Sequence, residues 1–62
     1  MAAQESRNLS MYRISVRVGS DIVIRHEHGW NDEDALIRLR KRISREGHPL
    51  ATLTILERKE IQ

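Results

Sequence analysis

Three histidines and a scatter of arginines are the side chains of this chain that could do chemistry. His26 and His28 stand two residues apart in IVIRHEH, so on a strand both imidazoles leave one face at a spacing that suits a zinc ion. His48 is the remaining histidine, and it becomes a third ligand only where the segment around Gly47 and Pro49 folds back. A structural zinc site takes four protein ligands and there is no cysteine to supply one, so the pair reads more simply as residues at the rim of a core. No metal and no cofactor is assigned. The acidic run Asp32, Glu33, Asp34 is accounted for by the electrostatics of a helix start.

Catalysis finds no constellation. Ser6, Ser10, Ser15, Ser20 and Ser44 have no motif that sets a base beside them, and the glycines stand singly rather than in a phosphate-cradling loop. A chain of this size, with one helix on one sheet, also lacks a second layer to wall a cleft. The expectation is a non-enzymatic binding module.

Positive charge remains. The formal net charge of +2 is mild, but Arg38, Arg40, Lys41, Arg42 and Arg45 lie close together with no acid among them. Two basic faces follow as candidate nucleic-acid contacts. One is a sheet face with Arg13, Arg17 and Arg25 among Ser15, Thr52 and Thr54, and the other is the outward side of a helix with Arg38, Lys41, Arg42 and Arg45. Aromatics are 3% of the chain, too few to stack single-stranded bases, so duplex nucleic acid is the expected form of that partner. The alternative is a protein-interaction module, such as a small inhibitor, adaptor or assembly factor, that uses an open strand edge or the apolar residues Val23, Ile37 and Leu56. By analogy such a chain suits a bacterial or phage accessory protein.

These residues must be held by few elements, because 62 residues make one domain with a small core. Asn31 to Gly47 reads as the single helix. Asn31 is an N-cap, Asp34 a shortened capping box, Gly47 a left-handed terminator and Pro49 a stop. Ala35, Leu36, Leu39 and Ile43 form its buried stripe, Ile37 points outward, and Trp30 is placed to staple onto Ala35. Tyr12, Ile14, Val16 and Val18 alternate with Arg13, Ser15 and Arg17 in a first strand from Met11, and Ile22–His28 forms a second. Leu50–Leu56 follows the helix as a third.

The hairpin loop decides which side chains go inside. A two-residue loop at Gly19 and Ser20 turns Val23, Arg25 and Glu27 to the core, whereas a three-residue loop, Gly19–Asp21, turns in Ile22, Ile24, His26 and His28. Avoidance of buried charge favours the second. The expected core is therefore Tyr12, Ile14, Val16, Val18, Ile22, Ile24, Ala35, Leu36, Leu39, Ile43, Leu53 and Ile55.

A right-handed crossover through the helix then carries the third strand to the far side of the first. The expectation is an α+β fold, β-β-α-β, with a three-stranded antiparallel sheet of order 2-1-3 and the helix on one face. Residues 1–10 are expected as a flexible tail, 11–58 as the domain and 59–62 as a frayed end. No apolar run reaches the length of a membrane span and no signal-peptide pattern is seen, so no membrane contact and a cytoplasmic location are expected. A core this small leaves stability near balance, and a homodimer is expected.

Overall fold

The computed structural model describes residues 8–61. The order is β1 (Ser10–Val18), β2 (Asp21–Gly29), α1 (Asp32–Arg45) and β3 (Thr52–Glu60). β1 lies between β2 and β3 and is antiparallel to both, so the sheet order is 2-1-3. The fold is α+β with a β-β-α-β arrangement. Of the expected tail, residues 1–7 lie outside the described residues, as does Gln62. Ser10 already pairs with Gly29 on one side and Glu60 on the other, so β3 continues four residues beyond Leu56.

The helix is closed at both ends by the residues that signal it. Asn31 stands extended and its Oδ1 accepts from the Asp34 N–H at 2.8 Å. Asp34 Oδ2 in turn accepts from the Trp30 N–H at 2.9 Å, a capping box shifted one residue outward. At the other end Gly47 takes φ 100°, which a residue with a Cβ adopts at a cost. The Gly47 N–H bonds to Ser44 O and the His48 N–H to Ile43 O, both at 3.0 Å, which is a Schellman closure. Gly29 serves a different purpose. A Cβ there would stand 2.7 Å from the backbone N of Ala35, so its bare Cα lets the first helical turn seat on β2.

The hairpin corrects the expected register. Val18 pairs with Asp21, Val16 with Val23, Ile14 with Arg25 and Tyr12 with Glu27, so the loop is the two residues Gly19 and Ser20. Gly19 takes φ 63° while Ser20 stays at negative φ, as in a type II′ turn, whose twist matches that of the flanking strands. Val23, Arg25 and Glu27 thus share the helix side with Tyr12, Ile14 and Val16. Ile22, Ile24, His26 and His28 turn to the other face, opposite to expectation. The charge that this register turns inward is met by the helix and its C-cap, as Glu27 pairs with Arg42 and Arg25 with Glu46.

The core is accordingly smaller than expected. Tyr12, Ile14, Val16, Ala35, Leu39, Ile43 and Ala51 are buried, with Leu36, Leu53 and Ile55 packed against them. Val18, Ile22 and Ile24 stand outside it at 36%, 62% and 46% exposure, while Ala51, which precedes β3, joins it. On β3 the register slips between Arg13 and Ile14, so Leu56 is an extra residue between Ile55, opposite Ile14, and Glu57, opposite Arg13. Such a bulge twists the edge it sits on.

Candidate functional site

The sheet face without a helix is a grid of four rows, each running from β2 through β1 to β3. They read Ile22, Arg17, Thr52; then Ile24, Ser15, Thr54; then His26, Arg13, Glu57; then His28, Met11, Lys59. One half carries isoleucine and threonine methyls with a single cation, and the other carries ionisable groups. Arg13 Nη2 lies 3.2 Å from Glu57 Oε1. Arg17 Nε donates to Gly19 O at 3.1 Å, which pins its stem across the hairpin end.

Arg25 is not on this face. It belongs to the helix side, where Nη1 and Nη2 donate to the two carboxylate oxygens of Glu46 at 2.9 and 3.0 Å. That fork holds the Glu46 carboxyl below the usual carboxylate range and raises the Arg25 guanidinium. The expected trio of sheet arginines is therefore reduced to Arg13 and Arg17.

The helical set stays together. Arg38, Lys41, Arg42 and Arg45 border a shallow depression of about 260 Å³ beside β2, with Glu27 in its lining. Two of the four cations are already balanced, Arg38 by Asp34 at 3.1 Å and Arg42 by Glu27 at 3.3 Å. Lys41 and Arg45 have no ion-pair partner among the described residues. Asp34 is held below the usual carboxylate range, chiefly by the Trp30 N–H and further by Arg38. Arg40 does different work, as its Nη1 donates to Ala51 O at 2.7 Å and ties the helix to the approach of β3.

His26 and His28 share one face as the spacing requires, but it is the open face, and both are exposed. His48 lies elsewhere, lining a depression with Val23, Arg25 and Glu46 between the hairpin tip and the helix end. Among the described residues no three His, Cys, Asp or Glu side chains gather as a metal set. Two groups that carry no sequence signal emerge instead. Glu27 is 4% exposed, and the Tyr12 hydroxyl is buried with no hydrogen-bond partner among the described residues. Burial raises the Tyr12 phenol, with Arg58 opposing.

The apolar residues nominated from sequence are all exposed but on separate elements, Val23 on β2, Ile37 on α1 and Leu56 on β3. The two-residue turn adds Ile22 and Ile24 to Val23. Three consecutive exposed apolar residues thus occupy the outer strand β2, a grouping the Gly-Ser dipeptide could have revealed. The outer edge of β2 has no pairing strand among the described residues. No helix among them is long and apolar enough to cross a membrane. No protein-family model matches the chain, and neither does any curated protein or solved structure.

Proposed function

We propose that this chain is a non-enzymatic protein-interaction module that works through the outer edge of β2, in a cytoplasmic setting. The observation that carries the reading is the run Ile22, Val23, Ile24, exposed on both sides of a nine-residue strand whose outer edge is unpaired among the described residues. An open edge offers backbone donors and acceptors to an added strand, and alternate side chains give that strand something apolar to grip. Electrostatics supports the same choice, since Arg13, Arg25, Arg38 and Arg42 each have an acidic partner within the chain. The test is capture from lysate with and without nuclease, using wild type and Ile24→Lys. A partner that withstands nuclease and is lost with Ile24→Lys supports the reading, and one released by nuclease overturns it.

Duplex nucleic acid is the second reading, favoured by the convergence of Arg38, Lys41, Arg42 and Arg45 around one depression. Each phosphate neutralised contributes about −0.9 to the log-log salt slope, so Lys41→Ala and Arg45→Ala should each flatten it by about one unit. No shift of a duplex at low salt removes this reading.

A further inference from the structure

We propose that the strand added to β2 is β2 of a second copy of this chain, paired antiparallel about a two-fold axis through Val23. The inference rests on the edge reading above and names its partner.

The two-residue turn sets the hydrogen-bond phase of β2. Residues that flank a two-residue hairpin turn form a bonded pair, here Val18 and Asp21, and bonded pairs recur at every second position. Val23, Arg25 and Glu27 therefore bond inward to β1, and the N–H and C=O groups of Ile22, Ile24, His26 and His28 point to the open edge. A two-fold through Val23 sets Ile22 opposite Ile24 of the second copy and Ile24 opposite its Ile22. Both are outward-bonding positions, so the phase is correct without any shift.

Side chains agree with that register. Facing residues on antiparallel strands project from the same side of the sheet. Ile22 and Ile24 of the two copies then make an aliphatic cluster on the open face, and Val23 meets Val23 on the other. One step further, Asp21 faces Arg25 of the second copy, and the same pair recurs by symmetry. Opposite charges thus meet at both ends of the apolar centre. Arg25 keeps its fork to Glu46 and gains a second carboxylate. The axis stands normal to the sheet, so the product is a continuous six-stranded sheet with both helices on one side.

The other outer strand is guarded. β3 carries the bulge at Leu56 and the charged run Glu57, Arg58, Lys59, Glu60, both devices that deter edge pairing. β2 has neither between Ile22 and Ile24, and the helix leaves Val23 55% exposed at the proposed axis.

Sedimentation equilibrium should give twice the chain mass of 7.3 kDa at high concentration. Asp21→Arg sets arginine against Arg25 and Arg25→Asp sets aspartate against Asp21, so each variant alone should be monomeric. An equimolar mixture of the two should restore the dimer, because each chain then faces its complement. Val23→Cys gives a single thiol in a cysteine-free chain, and at a facing Cα separation of about 4.5 Å it should oxidise in air to a covalent dimer. Ile37→Cys should not. A wild-type monomer at the highest soluble concentration, or a dimer in which the mixture fails and Val23→Cys stays uncrosslinked, overturns the proposal. A monomer from which Ile24→Lys still removes a nuclease-resistant partner overturns self-pairing alone and leaves the edge reading standing.

Discussion

Arg25 on β2 and Glu46 at the helix C-cap close a two-pronged ion pair, with both N–O distances at or below 3.0 Å. It joins a strand to the far end of the helix that follows it, and it makes the two-residue turn tenable. A guanidinium turned to the helix side finds a planar carboxylate instead of the core. Solvent reaches both groups, so the pair positions more than it stabilises. Arg25→Ala should lower stability by about 1 kcal/mol or less, and the loss should shrink in 1 M salt, as read by urea denaturation. A loss of several kcal/mol, insensitive to salt, would contradict this picture.

The centre of the core should be the most sensitive place. Leu39 is fully buried, so Leu39→Ala should cost ~2–5 kcal/mol by loss of apolar contact and a residual cavity, whereas Arg45→Ala on the exposed side should stay within about 0.5 kcal/mol. Equal melting temperatures for the two variants would mean that the helix buries another face.

Gly29 should resist even the smallest addition. The Cβ of Gly29→Ala would press on the backbone of Ala35 at 2.7–2.8 Å, and backbone yields less readily than a side-chain tip. Overpacking of this kind costs about 1–3 kcal/mol. Truncation at Ala35 gives no relief, because its N and Cα are themselves among the close atoms. A Gly29→Ala variant as stable as wild type would show that the first helical turn can move.

What could be read from the sequence divides along the range of the interaction responsible. Asn31, Asp34, Gly47 and Pro49 act on their own neighbourhood, so the helix and both its ends were legible, and chirality of the crossover then fixed strand order. The register of β2 was not. Its run Ile22, Val23, Ile24 offers an apolar side to either face, which empties the period-two signal of content. The choice fell to Arg25 and Glu27, whose partners Glu46 and Arg42 stand about twenty and fifteen residues away in sequence and come near only in the fold. The candidate site inherits this division. Arg38, Lys41, Arg42 and Arg45 are exposed along α1, where local periodicity puts them, whereas the face of Arg25 and the exposure of Ile22 and Ile24 depend on the register that the strand alone leaves open.

Acid should loosen the fold through Asp34 and Glu46. Both carboxyls are held below the usual range, Asp34 first by the Trp30 N–H and Glu46 first by Arg25. A carboxyl with a lowered pKa in the folded state favours folding in its ionised form. Its contribution is complete above the unfolded value, about 4, and disappears as pH falls through the lowered folded value. Urea midpoints should therefore hold from neutrality to about pH 5 and decline below it. Asp34→Asn should flatten part of that decline. A midpoint unchanged down to pH 2 would sink the assignment.

Glu27 and Arg42 form the pair whose separation should matter most among the surface arginines. Glu27 is 4% exposed, and Arg42, 61% exposed at its side chain, lies 3.3 Å from its Oε1 as an ion pair, while that oxygen accepts no hydrogen bond among the described residues. The arginine itself is well solvated, so its removal loses little of its own energy. What it leaves is a carboxylate withdrawn from water without its ion-pair partner, and that penalty is about 1–3 kcal/mol. Arg38→Ala and Arg45→Ala leave no such group and should each change stability by no more than about 0.5 kcal/mol. The cause can be isolated by a cycle. Glu27→Gln removes the charge that needs a partner, so Arg42→Ala should become nearly neutral in that background. Denaturation of the four proteins at neutral pH decides it. Equal costs of Arg42→Ala with Glu27 and with Gln at that position would show that Arg42 acts through packing of its stem and not through the buried carboxylate.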